Sequence, residues 1–253
     1  MFDDPALLRY SRHILLDDLG IEGQERIAQG RVLIVGAGGL GSPASLYRAA
    51  AGVGEIVLCD HDAVDLTNLQ RQIALASADI GRPKVEATAE RLAALNPLCH
   101  VLPRQQRLDA TALGALLPGI DVVLDCSDNF ATRHAVNAVC VAARVPLVSG
   151  AAIRFDGQVA VFDARRADSP CYECLFPAID GAEELRCAEL GVFAPLTGIV
   201  GAVQAAEALR LLAAIGEPLT GRLLMVEALA MRWHEVRVPR DPACKVCGSD
   251  RRE

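Results

Sequence analysis

Aromatic side chains are scarce in this chain. Six Phe, three Tyr and one Trp make up 4% of its 253 residues. Packing therefore falls to Leu, Val, Ile and Ala, and with 52% hydrophobic and 23% charged residues a large buried core is feasible. Positive charge is also short: 25 Lys and Arg stand against 32 Asp and Glu, a net charge of −7. That balance argues against nucleic acid as the main partner, since phosphate binding wants a basic face. No charge-free apolar run reaches about 18 residues, the length of a membrane-spanning helix. The opening MFDDPALLRY is acidic and lacks the basic-then-apolar order of a secretory signal. Internal repeats and low-complexity linkers are missing too. A soluble, cytoplasmic chain with neither nucleic acid nor membrane as partner is the expectation. The length fits a single domain over 1–253, with halves at 1–150 and 151–253.

Cysteine is plentiful, with nine residues. The odd count, the size and the missing signal argue for a reducing compartment rather than a disulfide framework. Cys59, Cys99, Cys126 and Cys140 lie in apolar stretches and read as small buried hydrophobes. Cys171/Cys174 and Cys244/Cys247 form two Cys-x-x-Cys pairs, each offering two thiolates from one tight turn, which suits tetrahedral zinc. The pairs lie too far apart for a compact zinc ribbon, so they predict a clasp tying the C-terminal tail to the middle of the chain. The tail DPACKVCGSDRRE has almost no apolar content to dock by burial. A structural zinc site contributes about 10–16 kcal/mol in small peptides, enough to fix it. Four ligands leave no open position, so the role is structural. Redox-active Cys-x-x-Cys is the competing account.

Hydrophobic patterning predicts alternating strands and helices. Asp4 to Leu19 reads as an amphipathic helix, Arg31 to Val35 as a strand buried on both faces, and Leu40 to Ala51 as a helix. Glu55 to Cys59, Ile120 to Cys126 and Val145 to Ser149 read as further strands, with helices at Lys84 to Leu95 and Phe130 to Ala143. From Gly157 the pattern changes. QVAVFD alternates like an antiparallel strand, Pro195 to Ala214 is a long helix, and Arg222 to Val226 and Trp233 to Val238 are two more strands. The predicted fold is α/β: a Rossmann-like, mixed but mainly parallel sheet with helices on both faces and an antiparallel C-terminal extension.

GAGGLG, with glycines at Gly36, Gly38, Gly39 and Gly41, follows the first strand and opens a helix. The glycines permit a tight turn and close approach of backbone to phosphate, and the helix start favours an anion. Asp60 stands at the end of the next strand, placed to bind ribose hydroxyls. NAD would use the same parts, but Arg71 and Lys84 follow at the same sheet edge, and two cations there suit a triphosphate. Asp128, after the strand ending at Cys126, can hold a magnesium ion bridging phosphates, or cap the helix that follows; Asn129 suits a cap equally and is counted with the cofactor-binding residues.

RYSRHILL, GAGGLGS, DHDAVDLTNLQRQ, DCSDN, LVSGAAIRFDGQ, CYECLFP, GVFAPLTG and the final CKVCG resemble the MoeB/ThiF family, bacterial relatives of ubiquitin-activating enzymes. The resemblance runs from about Leu8 to Gly248. It implies ATP-dependent adenylation of the C-terminal glycine of a small ubiquitin-like sulfur carrier, followed by thiocarboxylate formation. It also implies ATP and magnesium at Gly39, Asp60, Asn68, Arg71, Lys84 and Asp128, with Asp62 beside them and zinc at the four paired cysteines. Arg12 resembles an arginine that reaches into a neighbouring subunit's site, implying a homodimer. SGAAIR and APLTG lean to the molybdopterin branch with a MoaD-like carrier, RYSRHILLDD to the thiamine branch with a ThiS-like one. The sulfur donor would be a separate protein, such as a cysteine desulfurase or a rhodanese. Cys187 lies in the polar, glycine-flanked stretch GAEELRCAELG, and both a covalent link to the carrier and a structural role stay open for it. An NAD-dependent oxidoreductase leaves Arg71, Lys84 and the zinc clasp without use, and a non-catalytic nucleotide-binding scaffold does not need them.

Overall fold

The computed structural model of the protein describes residues 2–178 and 190–248. Among these, eight strands form one sheet in the order β3-β2-β1-β4-β5-β6-β7-β8. The strands are β1 (Arg31–Val35), β2 (Glu55–Asp60), β3 (His100–Gln105), β4 (Val122–Asp125), β5 (Leu147–Ile153), β6 (Asp156–Phe162), β7 (Arg222–Glu227) and β8 (Arg232–Arg237). The first five in spatial order run parallel, and β6, β7 and β8 continue the sheet antiparallel. This is the mixed sheet that the sequence predicts.

Both faces of the parallel part are covered, which is why its strands read as unbroken apolar runs. Val32 and Ile34 of β1 point to one side, into a core with α2 (Gly20–Gln29), α3 (Gly41–Ala51), α4 (Lys84–Leu95) and α8 (Ala194–Ala213). Leu33 and Val35 point to the other, against α5 (Ala110–Leu116), α6 (Phe130–Ala143) and the single turn α7 (Tyr172–Leu175). Helix α8 is long and apolar enough to cross a membrane by length and composition. Here it lies across the sheet, with Leu196, Val200, Ala208 and Ala213 buried in the first core.

Several elements depart from the sequence pattern. The expected helix from Asp4 to Leu19 stops earlier, as α1 (Asp4–Ile14), started by the Asp3 carboxylate on the Ala6 N–H at 2.9 Å. A second helix, α2, then begins at Gly20, whose φ of 58° turns the chain. Strand β3 carries Pro103 and is largely exposed, which an edge strand tolerates. Helix α5 is short and held by the Asp109 cap. Strand β5 extends to Ile153, well past the expected Ser149, because it pairs along its whole length with β6.

Strand order reverses between β1 and β4, so the loops leaving them part and open a crevice at the carboxyl edge. Gly36 turns out of β1 with φ 100°, and α3 starts at Gly41, where a Cβ would lie 1.9 Å from the Gly36 carbonyl oxygen. Only hydrogen fits there. Gly41→Ala is expected to cost about 1–3 kcal/mol of stability, as overpacking does. Gly38→Ala, whose Cβ would meet nothing nearer than the Gln72 amide at 3.6 Å, should stay within about 0.5 kcal/mol of the parent in urea denaturation.

Candidate functional site

The crevice is a cavity of about 470 Å³. Gly36, Gly38, Gly39, Asp60, Asp62, Asn68, Arg71, Lys84, Asp128 and Asn129 all line it, so residues predicted from four separate segments meet in one place. Asp60 is more than a ribose acceptor in waiting. Its Oδ2 accepts the Ala37 N–H at 2.7 Å and its Oδ1 accepts the Asp62 N–H at 2.9 Å, so the carboxylate joins the glycine loop to the loop after β2. Each oxygen keeps further lone-pair capacity for a ligand hydroxyl.

The two predicted cations differ. The Lys84 side chain is 6% exposed and its Nζ lies 2.8 Å from Asp62 Oδ2. Burial pushes the Asp62 carboxyl upward, but the hydrogen bond and charge of Lys84, with His61 and Arg107 nearby, outweigh it and hold the group below the ordinary carboxylate range. Arg71 is half-buried, donates from Nη1 to the Thr67 carbonyl at 3.0 Å, and runs its side chain past Gly39.

The carboxyl end of β4 separates the two roles proposed for Asp128. The cap of α6 is Asn129, whose Oδ1 accepts the Thr132 N–H at 2.8 Å. Asp128 is exposed at the cavity wall, and its carboxylate has oxygen ligands of the kind magnesium prefers. Its loop is held from below. Asp125 is fully buried; its Oδ1 accepts the Ser127 N–H at 3.0 Å and the Ser127 hydroxyl at 2.5 Å. Arg133 donates to the Ser127 and Gly150 carbonyls at 2.6 and 2.9 Å, with Asp125 3.8 Å away. Sequence reading missed Arg133, and also Gln72, Arg107 and Thr197 on the cavity wall. Gln72 and Thr197 lie inside the stretches DHDAVDLTNLQRQ and GVFAPLTG and were within reach; Arg107 and Arg133 sit in segments with no local signature.

A second, more apolar groove of about 550 Å³ joins the cavity, with Asp128, Arg133 and Ala152 lining both. Its walls come from β5, β6 and β7 and from Tyr172 and Phe176. Arg12 is exposed on α1 and lines neither space. Cys187 lies outside the described residues.

Cys171, Cys174, Cys244 and Cys247 converge, with all four sulfurs within 4.8 Å of one another. Neighbouring sulfurs stand 3.9, 3.6 and 3.4 Å apart. A tetrahedron with zinc–sulfur bonds of about 2.3 Å has edges of about 3.8 Å. The cluster therefore fits zinc. The other four described cysteines are buried, as expected, and burial pushes each thiol up to about 12. Cys59 and Cys126 nevertheless line the cavity.

The profile of the ThiF family matches residues 10–246. The molybdopterin-synthase adenylyltransferase of Escherichia coli (strain K12) is 47% identical over 97% of this chain and 98% of its own length. The sulfur carrier protein ThiS adenylyltransferase of the same organism is 44% identical over 97% of each. Among solved structures, E. coli MccB with ATP superposes with a TM-score of 0.82 at 26% identity, over 95% of this chain and 73% of that one.

The Asp62–Lys84 pair gives a pH signature. Because the folded carboxyl sits below its unfolded value of about 3.9, the pair stabilises the fold above that pH. The contribution is lost as acid carries Asp62 through its depressed value. A carboxyl NMR titration should place the Asp62 midpoint below that of a free aspartate, and Lys84→Met should move it upward.

Proposed function

The chain belongs to the ThiF family, and on that premise we propose that it adenylates the C-terminal glycine of a MoaD-like, ubiquitin-like sulfur carrier in molybdenum cofactor synthesis. The observation that carries this reading is the junction of a charged nucleotide cavity with an apolar groove at Asp128, Arg133 and Ala152. ATP fits the first space, with the glycine turn and Asn68 against its phosphates and Asp60 toward the ribose. An extended peptide tail fits the second.

The chemistry follows from that placement. A carboxylate oxygen of the carrier's terminal glycine attacks the α-phosphorus, the bond to the bridging oxygen breaks, and diphosphate leaves. The product is a mixed anhydride of carrier and AMP. No protein nucleophile is needed, so the residues act by positioning and by neutralising charge. Lys84 and Arg71 face the phosphates. Asp128 and its loop would hold magnesium, which when bound neutralises phosphate oxygens. Arg12 of a second copy would complete the site in a homodimer. Zinc would fill the four-thiolate cluster as a structural ion. The acyl-adenylate must then be consumed by a sulfur nucleophile, which a cysteine desulfurase or rhodanese would load. The chain works as one adenylation unit in a reducing cytoplasm.

Diphosphate exchange with purified carriers tests the reading. A MoaD-like carrier should support exchange with Mg-ATP, and exchange with a ThiS-like carrier alone would move the protein to the thiamine branch. An arginine supplied in trans is worth roughly 10³–10⁵ in rate in phosphoryl transfer, so Arg12→Ala should abolish exchange with the fold intact; near-normal exchange would remove it from the site. Asp128→Asn should lose exchange while keeping carrier binding. Cys187→Ala should still form the adenylate, and a loss confined to thiocarboxylate would assign it a covalent role.

A further inference from the structure

The one-turn helix α7 is capped by Cys171 and carries Cys174, and the same turn builds a wall of the groove. Tyr172 and Phe176 line the groove, with ring centroids 5.0 Å apart. Tyr172 also meets the rings of His134 and Phe162 edge-on, at 5.3 and 6.1 Å. Neither aromatic lines the nucleotide cavity. Cys171 thus stands directly before Tyr172, and Cys174 two residues before Phe176, so both thiolates adjoin the residues that wall the groove.

Two connections make this turn responsive to what the thiolates hold. Asn137 of α6, fully buried, accepts the Tyr172 N–H on Oδ1 at 2.9 Å, and its Nδ2 lies 3.7 Å from Cys171 Sγ. About one turn earlier the same helix carries Arg133, which lines both spaces. The other pair of thiolates arrives on the segment 241–248. Val246 is its only large aliphatic side chain. Its contacts to the turn run through sulfur: Cys244 to Cys171, Cys247 to Cys174, and the Asp241 N–H to Cys174 Sγ at 3.5 Å. Arg240 also bridges the Cys247 and Ala167 carbonyls, but between the segment and α7 itself, without a cation, four thiols at van der Waals separation offer little.

We propose that the four-thiolate site sets the affinity of the groove for the carrier. A zinc ion clamped there fixes the turn and so preorganises the aromatic wall, which is no part of the nucleotide cavity. The proposal rests on the reading that the groove takes the carrier's tail. Preorganisation acts by removing the ordering cost that a loose wall adds on binding. Coupling between two binding sites is also reciprocal: if zinc tightens carrier binding, carrier tightens zinc binding by the same factor.

That reciprocity supplies a test on the folded, zinc-loaded protein. Zinc affinity is measured by competition with a chromogenic chelator, alone, with saturating MoaD-like carrier, and with saturating Mg-ATP. Carrier should raise zinc affinity about tenfold, the size of a typical coupling, and Mg-ATP should change it less than about twofold. Carrier titrated by fluorescence anisotropy onto loaded and chelator-stripped protein should show the same factor in its Kd. An unchanged zinc affinity with carrier overturns the proposal. So does an equal rise with Mg-ATP, because stabilisation of the whole fold would act through either ligand. Loaded protein that binds no carrier would sink the functional reading as well, whereas carrier binding without any effect on zinc sinks the coupling alone.

Discussion

One side-chain amide joins the parts of this structure that must stay in register. Gln204 of α8 is fully buried, and its Nε2 donates to the carbonyls of Asp125 and Val148, at 2.8 and 3.3 Å, on the adjacent strands β4 and β5. Its own carbonyl accepts from Arg48 of α3 at 3.0 Å. The helix that opens from the glycine turn is thereby tied, through α8, to the strand ends that carry Ser127 and Asp128. Arg48 is wholly buried with no carboxylate paired to it among the described residues, and burial lowers it to about 9. The Ala44 and Gln204 carbonyls take donors from its two terminal nitrogens, which offsets part of the cost of burying the charge, while Nε stays without a partner among the described residues. The network is costly to assemble and permits little drift, which suits a site that works by holding groups in place.

Much of this arrangement was legible in the sequence, for a definite reason. Strands covered on both faces are continuously apolar, so β1, β2 and β4 announced themselves. The site residues on the loops after β1, β2 and β4 could be placed at one edge because parallel strands end together. What escaped was long-range or locally ambiguous. Gln204 sits in the middle of α8 and Arg133 in the first turn of α6, and both gain meaning from partners such as Asp125, 79 positions from Gln204. Strand β3 was hidden by Pro103. Adjacent Asp128 and Asn129 both suit a helix cap, and only the hydrogen bond to Thr132 separates them.

The two halves of the chain divide the work without dividing the sheet. The parallel strands supply loops, helix starts and charges for a polyanion. The antiparallel extension supplies a broad apolar floor, because β6 packs against α8 on one side and bounds the groove on the other. Arg133 belongs to the first half by position and touches β5 through the Gly150 carbonyl, where the two spaces meet.

The thiols of Cys59 and Cys126 border a cavity suited to making an acyl-adenylate, a species any nearby thiolate would capture. Buried protonated sulfur is a poor nucleophile at neutral pH, so the activated carbonyl outlasts its contact with the wall. Burial of these two sulfurs therefore disfavours their acylation by the product formed beside them.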